Sequence, residues 1–119
     1  MTTRRTFLLQ GAGLTSAPAI FGRKTKRNWR VGVIGHTGRG NFGHGLDTVW
    51  NLLNETSVVA VADEHPGGLA KAKQKLETDK AYADYREMIG QERPEIVAVC
   101  PRHVDKRVPI ITAACEIGA

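Results

Sequence analysis

The sequence predicts an α/β domain, a doubly wound parallel sheet. Three observations predict it: short apolar runs without polar alternation, amphipathic stretches between them, and a glycine-rich turn between the first run and the first amphipathic stretch. A strand that is apolar on both faces must be covered on both. Parallel strands achieve this through crossover helices packed on either side of the sheet.

Trp29 to Ile34, with Val31, Val33 and Ile34 ahead of Gly35, reads as the first buried strand. The turn after it leads into Phe42, Leu46, Val49, Trp50 and Leu53, spaced by threes and fours, which predicts a helix with one apolar face. Ser57 to Ala62 is the second strand and stops at Asp63. Pro66 opens the next helix, since its fixed φ suits a first turn. Leu69, Ala72 and Leu76 form the inner face of that helix, with Lys71, Lys73 and Lys75 on the wet side. Asp84 and Glu87 have capping-box spacing, so a short helix starts there. Ile96 to Val99 is a further strand. A last helix follows Asp105, carrying Val108, Ile111, Ala114 and Cys115 to Gly118, with Pro109 leaving its start uncertain by a few residues.

Residues 1–27 stand apart. They hold Arg4, Arg5, Arg23, Lys24, Lys26 and Arg27 and no acid, leaving eleven basic against twelve acidic groups in residues 28–119. The formal charge of +5 therefore belongs to the N-terminus. A body near neutrality lacks the footprint of a nucleic-acid binder. Thr3-Arg4-Arg5-Thr6-Phe7-Leu8 resembles the twin-arginine export motif, followed by a mildly apolar stretch and by Ala17-Pro18-Ala19, a small-x-small cleavage pattern. The expected organisation is a twin-arginine-type signal peptide and basic linker over 1–27, then the nucleotide-binding part over 28–119. The location that follows is periplasmic, with the membrane met only in transit. Fifteen weakly apolar residues are too few to span a bilayer core, which takes about 20. Two Cys and four scattered His, without C-x-x-C or H-x-x-x-H spacing, predict no metal site.

The candidate site is the loop Gly35-His36-Thr37-Gly38-Arg39-Gly40-Asn41-Phe42-Gly43. Between a strand and a helix, glycines let a pyrophosphate approach the backbone, and N–H groups at the helix start face the anion. Two registers fit: Gly38, Gly40 and Gly43 as G-x-G-x-x-G, or Gly35, Thr37 and Gly40 with Thr in the middle place. Asp63 lies 20 residues past Gly43, at the end of the second strand. A carboxylate there accepts from a ribose diol and repels a 2′-phosphate, and neither Lys nor Arg follows before Lys71, so NAD is favoured over NADP. Loop, acid and strands together describe a partial Rossmann-type sheet.

Val31-Gly32-Val33-Ile34-Gly35, Val59-Ala60-Val61-Ala62-Asp63, Tyr82-Ala83-Asp84-Tyr85-Arg86-Glu87-Met88 and Pro101-Arg102-His103 together resemble the Gfo/Idh/MocA oxidoreductases, a group that includes glucose–fructose oxidoreductase and inositol dehydrogenases. The resemblance covers nearly all of residues 29–119. Short-chain dehydrogenases fit less well, because their T-G-x-x-x-G-x-G would need glycine at Phe42 and no Y-x-x-x-K pair is present. The resemblance implies a nucleotide-binding domain ahead of a larger domain for a sugar or polyol. It also implies that Pro101 and His103 lie near the nicotinamide, with Asp105 where members often carry a second His. The family's catalytic Lys, in Glu-Lys-Pro, would come after Gly118; none of Lys71, Lys73, Lys75, Lys80 or Lys106 matches it. Residues 1–119 are thus expected to hold a nicotinamide dinucleotide and no catalytic residue, the sheet keeping an open edge. The cofactor-binding set is Gly35, Thr37, Gly38, Arg39, Gly40, Gly43, Asp63, Pro101 and His103.

Cys100 and Cys115 are both expected as buried thiols. Two other readings compete with hydride transfer to a sugar or polyol: an NAD-dependent glycosidase of the same superfamily, and a nucleotide-binding module without catalysis. Oligomeric state is left open.

Overall fold

The computed structural model describes residues 28–119. The twin-arginine-type segment and the linker lie outside the described residues. The strands are β1 (Trp29–Ile34), β2 (Thr56–Ala62), β3 (Ala81–Tyr82) and β4 (Ile96–Val99). The helices are α1 (Pro66–Leu76), α2 (Tyr85–Glu92) and α3 (Val104–Glu116). All strand pairs are parallel and the sheet order is β3-β2-β1-β4. The chain therefore winds outward from β1 through β2 to β3, and then crosses back to place β4 on the other side of β1. That reversal is the topological switch of a doubly wound sheet.

Each face of the sheet has its own core. Val31, Val33, Val58 and Val61 pack with Phe42, Ala72 and Leu76 on one face. Ile34, Ala60 and Ala62 pack with Tyr85, Met88, Ile89 and Ile110 on the other. The register slips between Val31 and Gly32, where Val31 faces Val58 but Gly32 faces Ala60, so Val59 is the extra residue of a bulge. Gly32 is small for a reason: a Cβ there would lie 2.8 Å from the Met88 Cε.

The helix ends follow local chemistry. His65 caps α1, its Nδ1 accepting from the Gly68 N–H at 2.9 Å, and Pro66 takes the first turn. Asp84 caps α2 by accepting from the Arg86 N–H at 2.9 Å. Arg30 reaches from β1 to the other end of α2 and donates to the carbonyls of Glu92 and Arg93 at 2.7 and 3.0 Å.

Three expectations need correction. The helix expected across Phe42 to Leu53 is absent; residues 42–48 form turns, and only a single 3₁₀ turn, Val49–Leu52, follows. Asn41, Gly43 and Gly45 have φ of 51°, 73° and 87°, outside the right-handed helical region, so the apolar spacing has no helical backbone to ride on. Leu46, Leu52 and Leu53 are accordingly exposed. The last helix starts at Val104 and buries Ile110 and Ala114, while Val108 and Ile111 face solvent. Apolar residues surround this helix, so spacing alone does not select its inner face. Cys100 is buried as expected, but Cys115 is exposed, on the outer side of α3.

Candidate functional site

The carboxyl ends of the strands gather the sequence's chemistry in one place. Gly35 extends β1, its N–H donating to the Ala62 carbonyl at 3.0 Å. It lies under the Phe42 ring, where a Cβ would fall 2.6 Å from the ring's Cζ. His36 and Asn41 then exchange two backbone hydrogen bonds of 3.0 Å each, and the chain between them turns back on itself. Gly38 and Gly40 supply the turn with φ of 91° and 98°. The Asn41 side chain accepts from the Gly38 N–H at 2.9 Å, and the Gly43 N–H donates to the Gly40 carbonyl at 3.0 Å. Gly35 is thus small because the Phe42 ring lies against it and Gly40 because the Arg102 backbone does, while Gly38, Gly40 and Gly43 have positive φ.

This loop is docked on the segment between β4 and α3. The Arg102 N–H donates to the Arg39 carbonyl at 3.1 Å. The Arg39 guanidinium holds both Asp105 carboxylate oxygens at 3.0 Å. Gly40 presses so near Arg102 that a Cβ would come within 2.6 Å of that residue's own. The two connections meeting at the topological switch, after β1 and after β4, are therefore tied to each other.

Asp63 ends β2 and is 1% exposed. Its Oδ1 accepts from the Thr37 N–H at 3.1 Å and the His65 N–H at 3.0 Å, and its Oδ2 accepts from the Thr37 hydroxyl. Gly68 covers this cluster from α1; a Cβ there would lie 2.6 Å from Asp63 Oδ2. The acid at the end of β2 thus ties the glycine loop to the start of α1.

A cleft of about 90 Å³ opens between these groups and the α2–α3 face. Among the expected residues it brings together Gly35, Asp63 and Pro101, the last almost wholly buried, its carbonyl accepting from Arg107 Nε at 2.8 Å. Thr37, Gly38, Arg39, Gly40 and Gly43 belong to the neighbouring loop. His103 caps α3 without a side-chain bond, is exposed and does not line the cleft. The cleft also takes in His36, from the candidate loop but outside the expected cofactor-binding set, and Glu64, Tyr85, Arg86, Asp105 and Lys106, which that set also lacks. Two signals bore on them: Arg86 sits in the Asp-Tyr-Arg-Glu-Met segment, and Glu64 adjoins Asp63. Glu64 is 55% exposed at its side chain and approaches His36 Nε2 at 3.4 Å. Among the described residues, no three His, Cys, Asp or Glu side chains cluster so as to hold a metal ion.

Solved dehydrogenases and other oxidoreductases superpose on this arrangement. A probable dehydrogenase from Thermotoga maritima superposes with a TM-score of 0.61 at 26% identity, over 74% of this chain and 25% of that one. The scyllo-inositol dehydrogenase of Lactobacillus casei, solved with NAD(H) and scyllo-inositol, gives 0.65 at 19% identity, over 77% of this chain and 26% of its own. A levoglucosan dehydrogenase in complex with NADH and levoglucosan gives 0.55 at 24%, over 77% and 26%. The shared fold is a partial Rossmann-type sheet. This chain spans about a quarter of the length of those proteins. No protein-family model matches the chain, and no curated protein does.

Proposed function

We propose that this chain is the leading part of the nucleotide-binding domain of an NAD-dependent oxidoreductase that moves hydride between nicotinamide and a sugar or polyol. The observation that carries this is the switch point itself. The glycine loop after β1 and the Pro101 loop after β4 converge where a doubly wound sheet takes its ligand, outside the carboxyl ends of the strands. Support comes also from the company of the fold: neighbours solved with NAD(H), scyllo-inositol or levoglucosan, and a sequence resemblance to the group to which inositol dehydrogenases belong.

The residues suit the nucleoside end of such a cofactor better than its diphosphate. The cleft offers the apolar Ile34 and Ala62 beside polar groups at the end of β2, as an adenine and its ribose require. An acid at that strand end favours NAD over NADP. For the diphosphate, no helix begins after the loop, and the N–H groups of Thr37, Gly38, Arg39, Asn41 and Gly43 already have partners in the protein. The space over Gly38 is open, with no atom within 4 Å of where a Cβ would stand, so a ligand reaches the backbone there. Arg39 and Arg102 are the cations beside it. The bound nicotinamide would supply the hydride chemistry; Pro101 and His103 stand on its side of the sheet.

Equilibrium titration of the 119-residue chain with NAD⁺ tests the reading. Saturable binding, weakened by NADP⁺-type 2′-phosphorylation of the ligand, is the expected result; absence of binding at millimolar NAD⁺ overturns it. We further propose export by the twin-arginine route, on the strength of Arg4, Arg5 and the Ala17-Pro18-Ala19 pattern. Changing both arginines to lysine should leave the protein in the cytoplasm, and unaltered export refutes that assignment.

A further inference from the structure

We propose that Glu64, and not Asp63, is the carboxylate that reads the ribose hydroxyls of the bound nucleotide, Asp63 serving to hold the glycine loop in place. The inference rests on the nucleotide-binding reading above and names its specificity residue.

Most of Asp63's acceptor capacity is already taken within the protein. Three donors, the N–H and hydroxyl of Thr37 and the N–H of His65, converge on its two oxygens. It is 1% exposed, and the Gly68 backbone closes over Oδ2. Hydrogen bonds to an ionised acceptor are the strong ones, and a ribose diol would have to displace them inside a space that a single methyl group overfills. Such a carboxylate is a staple between β1's loop, the end of β2 and the cap of α1.

Glu64 is the next residue along, so it leaves the same strand end and lines the same cleft with a far more exposed side chain than Asp63. Its carboxylate is more than half exposed, and its neighbour there is the His36 imidazole. Asp105, the other acid of the cleft, is held by both oxygens on Arg39. Glu64 is therefore the cleft carboxylate placed to accept hydrogen bonds from both hydroxyls of a cis-diol. It also bears the negative charge that a 2′-phosphate would meet, in a cleft where Arg86 and Lys106 would otherwise draw that phosphate in. The chemical class read is an unphosphorylated ribose, hence NAD.

The test titrates NAD⁺ and NADP⁺ into the 119-residue chain, into Glu64→Gln and into Asp63→Asn, with a thermal melt of each. Glu64→Gln should lose about tenfold in NAD⁺ affinity, as for a charge-assisted bond made neutral, while NADP⁺ affinity stays level or rises and the melting temperature is unchanged. Asp63→Asn should melt at lower temperature, or fail to fold, and where folded should keep the wild-type ratio of the two affinities. If wild type binds NAD⁺ and Glu64→Gln binds both ligands as wild type does, the inference is overturned and the nucleotide reading stands. If Asp63→Asn alone erases the preference for NAD⁺, Asp63 is the reader and the inference fails. If wild type binds neither ligand, both readings fall together.

Discussion

Gly68 is the residue on which the Asp63 cluster depends most visibly. Within a helix alanine is ordinarily preferred to glycine, by up to about 1 kcal/mol in the interior, and Gly68 stands in the first turn of α1. Here a Cβ would lie 2.6 Å from Asp63 Oδ2, against the Thr37 side chain. Gly68→Ala should therefore lower the melting temperature despite its helix-favouring backbone, and a rise would show that the cluster has room to give. Cys100 makes a second statement at this scale. Burial, helped by the Asp47 charge, pushes its thiol from 9.0 up to about 12. The folded state thus keeps a proton that the unfolded chain would release, so this contribution to stability is full below pH 9 and is lost as pH rises from 9 towards 12. Stability measured across that range should fall, less steeply in Cys100→Ala. A thiol reagent at neutral pH should label Cys115 promptly and Cys100 only after denaturation, since the first is exposed and the second buried. That Cys115 faces solvent was not legible in the sequence, because a helix apolar on most sides does not declare which side is covered.

At the scale of elements, the sequence spoke clearly where one force acted alone. β1 and β4 were readable to the residue because their apolar runs, interrupted only by Arg30 and Gly32 in β1, show no competing period. α1 and α2 were readable at their starts because Pro66 and Asp84 mark first turns by backbone chemistry. The stretch from Phe42 to Leu53 was misread because two signals conflicted, and the glycine backbone overrode the apolar spacing. β3 passed unnoticed because two residues, Ala81 and Tyr82, are too few to show a period. Pro109 is an element-scale strain of another kind. It sits inside α3, where it has no N–H for the Asp105 carbonyl and its ring crowds that carbonyl. Pro109→Ala should restore the bond and raise the melting temperature by a few degrees, against a proline cost of about 3 kcal/mol in a free helix interior. No change would mean that the helix has already bent to accommodate the ring.

For the whole molecule, the order β3-β2-β1-β4 matters most, because it turns separate sequence signals into a site. Gly35 and Pro101 are sixty-six residues apart and meet only because β1 and β4 are neighbours. The meeting of these connections was thus legible from motif order, and three residues lining the cleft between them were named from it: Gly35, Asp63 and Pro101. The inward turn of Asp63 was not legible, since it depends on Thr37 and Gly68 arriving from two other connections. Nor was the Arg39–Asp105 pair, which joins the connections after β1 and β4 across the switch. The measurement that bears most directly on this account is a backbone amide NMR titration of the 119-residue chain with NAD⁺. The account predicts saturable shifts concentrated at residues 35–40, 63–65, 83–86 and 101–106, with the outer turns of α1 near Gln74 and Glu77 silent. Shifts spread over α1 or confined to the 3₁₀ turn, or a spectrum unmoved by millimolar NAD⁺, would contradict a nucleotide site at the carboxyl ends of this sheet.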